Sequence, residues 1–108
     1  MVAGADWVRR QLRMILRCID SFDGKYASLD RLISDLESLW SVLWTESAPV
    51  ESSWMDRFHN RWSVLEEIYS ITLEAGRQYL TDYECNCVST SVGELKRQTT
   101  QLLEIFPV

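Results

Sequence analysis

The side chains in this sequence that could do chemistry are His59, the Glu66-Glu67 pair, Cys85 and Cys87 beside Glu84, and a row of arginines near the start. Nucleophilic catalysis needs a base placed to activate a serine or cysteine. His59 is the only histidine. It falls on the polar side of a predicted helix near Glu66, which reads as a solvated surface imidazole. Glu66 and Glu67 are adjacent on that helix and diverge, so they do not form an acid/base pair. Cys85 and Cys87 stand two apart and point away from each other on a helix, so they cannot share one ion. No Cys-x-x-Cys, His-Glu-x-x-His or Glu-x-x-His spacing occurs. Cys85 is read as a core residue and Cys87 as a surface one. The four glycines are isolated from one another, so no loop cradles a phosphate. The expectation is a chain with no catalytic residue, cofactor or metal, and hence no enzyme.

What remains is charge and aromatic surface. Arg9, Arg13 and Arg17 repeat every four residues with Arg10 beside them. They could pair with carboxylates of neighbouring helices, hold an anion, or face solvent, and pairing suits a chain otherwise so acidic. Residues 1–17 carry a formal +3 and the rest −8, for a total of −5. That balance disfavours nucleic acid and anionic membranes and would steer the chain towards a basic protein. Asp56, Glu67 and Glu74 line the polar face of the third predicted helix, with His59 and Glu66 alongside. This stripe is either a solvated face or a docking surface. Asp30 and Glu37 on the preceding helix, and Trp44 at its edge, complete the candidate contact set. Trp40, Trp44, Trp54 and Trp62 flank the 45–53 segment; core packing accounts for most of them, and Trp44 is the candidate interface anchor.

These residues must be positioned by helices. Val8, Leu12, Ile15, Ile19 and Phe22 follow steps of four and three and predict a helix over about 5–22, with Asp6 as N-cap. Trp7, Met14 and Cys18 form a weaker second ridge. A second helix, about 29–44, starts at Ser28 with Asp30 in its first turn, and carries a stripe from Leu29 to Trp44. A third, about 54–76, is capped by Ser53 with Asp56, and has Trp54, Phe58, Trp62, Leu65, Ile68, Tyr69 and Leu73 on its apolar face. Thr81-Asp82-Tyr83-Glu84 reads as a capping box opening a fourth helix, about 82–105. Its inward residues are expected to be Cys85, Val88, Val92, Leu95, Thr99, Leu102 and Phe106. Gly93 and the serine-rich turn before it lower propensity in its middle. At 108 residues there is room for one domain, and an all-α antiparallel four-helix bundle is the economical fold. An odd count of three cysteines suits a reducing cytosol. No run approaches a membrane span, and no signal peptide is evident, so the chain is expected to be soluble and cytoplasmic.

Ser28–Leu39, reading SLDRLISDLESL, resembles the SLxxLIxDLExL helix of a group of small bacterial helical proteins. Trp54–Leu80 is similar to that group's following helix through Phe58, Trp62, Leu65-Glu66, Ile68-Tyr69 and Gly76. The region from Ser28 to Leu80 that holds both stretches spans about half the chain, and the fourth-helix region with Cys85-Asn86-Cys87 departs from the pattern. Some members resemble immunity proteins of contact-dependent inhibition and related polymorphic toxin systems. The resemblance implies a protein that binds and neutralises a cognate toxin, a basic nuclease domain being the expected partner, with no direct nucleic-acid contact. It brings no toxin-contact residue with it. The alternative is a helical regulatory or adaptor protein that forms a homodimer through Trp7, Met14 and Cys18, rather than a monomer outside the complex.

Overall fold

The computed structural model describes residues 4–45 and 50–105, so Pro49, Phe106 and Pro107 lie outside the described residues. Four helices are present: α1 (Ala5–Ser21), α2 (Tyr26–Thr45), α3 (Ser52–Glu74) and α4 (Asp82–Ile105). They form the all-α bundle expected. α1 packs on α2 and α4, and α3 packs on the same two. The short connections alternate the helix directions, so neighbours run antiparallel. The described residues measure 44 × 22 × 21 Å, an elongated rod with long lateral seams.

The three-and-four spacing of apolar residues determines which faces meet. Val8, Leu12, Ile15 and Ile19 of α1 are buried, as are Leu29, Leu32, Ile33, Leu36, Leu39 and Leu43 of α2. α3 adds Trp54, Met55, Phe58, Trp62, Leu65 and Ile68, and α4 adds Val88, Leu95 and Leu102 to the same core. Three indoles then lock register. Trp40 Nε1 donates to the Met55 carbonyl at 3.0 Å, Trp62 Nε1 to that of Ile33 at 2.9 Å, and Trp54 Nε1 to that of Gln98 at 3.0 Å. Trp54 and Trp62 combine a buried ring, and Trp40 a half-buried one, with a hydrogen bond contributing about 1 kcal/mol.

The helix ends correct several expectations. Gly4, not Asp6, is the N-cap of α1, and Asp6 sits in the first turn. α2 begins at Tyr26, three residues earlier than expected, so Ser28 lies inside the helix and Asp30 beyond its first turn. The cause is the Asp23-Gly24 turn. Gly24 takes φ +81° and the Asp23 carboxylate accepts the Lys25 backbone N–H at 2.9 Å, starting the helix at once. That bond, helped by the Ser28 hydroxyl, lowers the Asp23 pKa. For α3 the N-cap is Glu51 rather than Ser53, whose hydroxyl donates to Glu51 Oε2 at 3.2 Å and not to the helix.

α3 ends in a Schellman motif. Gly76, at φ +67°, donates its N–H to the Leu73 carbonyl, and Arg77 donates to that of Thr72. The turn places Arg77 against the start of α4, where the expected capping box is present. Glu84 N–H donates to Thr81 Oγ1 at 3.2 Å, and Thr81 N–H to Glu84 Oε1 at 2.9 Å. Arg77 binds the same carboxylate through both guanidinium nitrogens, at 2.6 and 3.0 Å. This half-buried fork, first, and the Thr81 N–H, second, pull the Glu84 carboxyl down to about 2.

Glu84 therefore takes an inward position and sets the face of α4 that is buried. Cys85 is exposed and Cys87 half-buried, the reverse of expectation. The buried line runs Glu84, Val88, Ser91, Leu95, Gln98, Thr99, Leu102, with Val92 at its edge. α4 is continuous through Gly93, which lies on the exposed side.

Candidate partner-binding surface

Where α2 meets α3, each helix contributes a row with steps of four and three. On α2 the row is Tyr26, Asp30, Ile33, Glu37, Trp40 and Trp44; on α3 it is Met55, His59, Trp62, Glu66, Tyr69 and Leu73. Three contacts fix the antiparallel register between them. Tyr26 stacks on Tyr69 at 5.5 Å, the Trp62 indole reaches Ile33, and the Trp40 indole reaches Met55. This register sets Glu37 level with His59 and Asp30 level with Glu66.

An aromatic ladder crosses the seam at its α2 C-terminal end. Trp44 stacks on Trp40 with centroids 5.7 Å apart and planes 12° from parallel. Trp40 meets His59 at 5.0 Å, and His59 meets Trp62 at 5.3 Å. Glu37, Trp40, Phe58, His59 and Trp62 enclose a hollow of about 30 Å³, enough for a water or the tip of a side chain. His59, expected as a plain solvated imidazole near Glu66, is exposed yet braced between two indoles.

Trp44 is 60% exposed although it belongs to a stacked pair. Leu73 is 57% exposed, against the expectation that it faces the core. The inward line of α3 passes through Phe58, Leu65 and Thr72 instead, and α2 starts opposite Tyr69, which leaves Leu73 without cover. Thr72 is fully buried because its hydroxyl donates to the Tyr69 carbonyl at 2.6 Å.

The predicted contact residues divide into two lines. Asp30, Glu37, Trp44, His59 and Glu66 are brought together along the seam. Asp56, Glu67 and Glu74 lie on the outermost ridge of α3, all exposed. They spread over roughly 27 Å at the helical rise and make a line of charge rather than a cluster. Among the described residues, the ion pairs are Arg31–Asp35, Arg77–Glu84, Lys96–Asp20 and Arg97–Glu94. None involves a carboxylate of the seam or ridge, so their negative charge is not neutralised locally. Burial first, then hydrogen bonding with Tyr26 and the charge of Asp30, raises the Tyr69 pKa.

The same ion pairs bear on the arginines of α1. Pairing was expected, yet none of these bridges uses Arg10, Arg13 or Arg17. Trp7 and Cys18 pack half-buried against the core, and Met14 is 42% exposed. Burial raises the Cys18 thiol pKa, Asp35 adds to the rise, and Arg31 opposes it. Among the described residues no three His, Cys, Asp or Glu side chains are grouped to hold a metal ion. No helix among them is long and apolar enough to cross a membrane.

Neither family models, curated proteins nor solved structures gave a match to this chain.

The ladder was the part that sequence reasoning missed. Trp40 and Trp62 were assigned to the core, and both do donate across the seam. The available signal was the second edge of α2, where Tyr26, Asp30, Ile33, Glu37, Trp40 and Trp44 keep a four-and-three rhythm of their own beside the leucine stripe. Physically the seam suits binding: flat stacked rings fixed by buried hydrogen bonds, flanked by unpaired carboxylates.

Proposed function

We propose that this chain is an immunity protein that binds and neutralises a cognate bacterial toxin domain through the α2–α3 seam. The observation that carries this reading is the exposed Trp44, stacked on Trp40, beside the unpaired carboxylates Asp30, Glu37 and Glu66. A prefixed aromatic plate loses little side-chain entropy on docking, which is the usual property of an interface anchor. Unpaired carboxylates accelerate encounter with a basic surface, such as the substrate groove of a nuclease. The ridge of Asp56, Glu67 and Glu74 extends that field along α3. Occlusion requires no chemistry of the inhibitor, so the chain acts as a cytoplasmic monomer without cofactor.

Co-expression with the product of the adjacent upstream gene, followed by co-purification and a growth-rescue assay, tests the proposal. The expected outcome is a one-to-one complex whose association rate falls as salt rises, together with rescue of growth. A neighbour that is not a toxin, or one that does not associate, removes the proposal. The homodimer alternative depended on Trp7, Met14 and Cys18. Two of these are engaged with the core, so no observation favours it over the first reading.

A further inference from the structure

The groove between α3 and α4 has the opposite chemistry. Arg57 and Arg61, one turn apart on α3, face Arg97 of α4 across a hollow of about 240 Å³. Asn60 and Gln101 add amide groups, and Glu94 is the single carboxylate in the lining. Glu94 is paired with Arg97, while Arg57 and Arg61 make no ion pair among the described residues. The lining therefore carries a net formal +2 within a chain of net −5. Three guanidiniums held together with one carboxylate between them favour a further anion.

Gln98 supplies a second, independent observation. It lines the same groove and is only 8% exposed. Its backbone carbonyl accepts the Trp54 indole, which holds this part of α4 in place. Its amide oxygen is buried and has no hydrogen-bond partner. Buried acceptors are ordinarily satisfied, so a donor is missing here. That oxygen is sealed from solvent where it stands, so a ligand meets it only once the Gln98 amide turns towards the groove; a ligand that answers both features then carries anionic oxygens for the guanidiniums and a hydroxyl for the turned amide oxygen. The hollow is smaller than the roughly 300 Å³ at which clefts for drug-sized ligands begin, so it accommodates one compact group.

We propose that the α3–α4 groove binds a small hydroxyl-bearing phosphate dianion, with its anionic oxygens on Arg57, Arg61 and Arg97 and its hydroxyl on the Gln98 amide oxygen, which turns outward to accept it. Hydrogenphosphate has both features in one group, and a mononucleotide has them in its phosphate and sugar. The net +2 matches a dianion better than a carboxylate. This site is separate from the seam and does not depend on toxin binding.

Titrations of the chain followed by NMR at low ionic strength, with inorganic phosphate, sulfate and AMP as probes, decide the matter. Phosphate is expected to give saturable shifts confined to α3 and α4 and to bind about tenfold tighter than sulfate, which has the same charge and shape without a hydroxyl. The Arg57→Ala/Arg61→Ala double variant weakens phosphate binding by about tenfold or more. Both residues are exposed, and an unchanged circular dichroism spectrum shows that the fold survives. Arg13→Ala/Arg17→Ala on α1 leaves binding unchanged. Gln98→Leu abolishes the preference over sulfate while retaining residual binding of both. Tighter binding of AMP than of phosphate supports the site and identifies the source as a nucleotide ester; weaker binding supports it with the free ion as source. Shifts that do not saturate, equal affinity for sulfate, or an equal effect of the α1 variant would overturn it. So would a single-stranded oligonucleotide that binds more tightly than the mononucleotide, since that points to a polyanion track.

Discussion

Along its α2 side, α3 presents Met55, His59, Trp62, Glu66 and Tyr69; along its α4 side it presents Arg57 and Arg61 with Asn60 nearby. The first edge joins a row that contains Asp30, Glu37 and two stacked tryptophans. The second joins Arg97, Gln98 and Gln101. Both edges flank one inward stripe of Phe58, Leu65 and Thr72. The stripe alone commits the helix to the bundle, so the two edges are free to diverge. The difference shows why net charge is a poor guide here: a chain of −5 holds an aromatic, acidic seam and a basic, amide-lined groove on opposite flanks of the same helix.

The largest expected effect tests whether the seam is built on a rigid base. Trp62 is 8% exposed and its indole donates to the Ile33 carbonyl. Trp62→Ala removes the ring and leaves a cavity, so a loss of about 3–5 kcal/mol in denaturant unfolding is expected. Trp44→Ala, by contrast, removes a 60% exposed ring and is expected to change stability by at most about 0.5 kcal/mol. If the two variants are equally destabilised, Trp44 is a structural residue and the seam loses its anchor.

Next is the binding contrast. Glu37→Lys with Glu66→Lys reverses charge on the seam and is expected to weaken binding of the proposed toxin partner by about 100-fold. Much of that loss should appear in the association rate at low salt. Arg57→Glu with Arg61→Glu, on the other edge, is expected to change toxin affinity by less than about threefold. Surface plasmon resonance on both pairs reads the difference. An equal loss from the second pair would mean that the partner covers the α4 side as well.

Much of this arrangement was legible beforehand, and the rest was lost for identifiable reasons. The leucine stripe of α2 and the Val8–Ile19 stripe gave the bundle, because apolar spacing alone dictates which faces meet. Thr81 and Glu84 gave the start of α4, because a capping box is a local motif. Ser28 and Ser53 misled because other local contacts intervened: Asp23 opens the α2 turn, and Ser53 turns back to Glu51. Cys85 was placed inside since no spacing rule anticipates Arg77 drawing Glu84 inward from seven residues away. The seam residues were individually visible, but the register that assembles them depends on Trp62–Ile33 and Tyr26–Tyr69, contacts made across tens of residues.

That Arg77–Glu84 clamp ties the C-terminal end of α3 to the start of α4, and it predicts an acid response. The folded Glu84 pKa, about 2, lies below the ordinary glutamate value of 4.5. A depressed carboxyl contributes stability above the unfolded pKa, and that contribution is lost as pH falls from the ordinary carboxylate range towards about 2. Glu84→Gln keeps the size and removes the charge, and is expected to lower the thermal midpoint at pH 7 by about 5 °C. The gap to the wild-type chain should narrow as pH drops below the ordinary carboxylate range. A gap that stays constant down to pH 2 would show that the clamp acts through shape and not through charge.

The smallest effect on stability should come from the groove's own ion pair. Glu94 and Arg97 stand three residues apart on α4, and the Arg97 guanidinium, with a smaller contribution from Arg61, lowers the Glu94 pKa. Its partner is 59% exposed, so water screens the pair and the contribution to folding is small. Glu94→Gln is expected to move the thermal midpoint by no more than about 2 °C. In the groove, however, it removes the one carboxylate that competes for the arginines and raises the net lining charge from +2 to +3. Phosphate affinity should therefore rise by about threefold or more, while affinity for the proposed toxin partner stays unchanged. A variant that loses stability and gains no phosphate affinity would mean that Glu94 only relieves crowding among arginines. The basic edge would then be a folded surface with no ligand of its own.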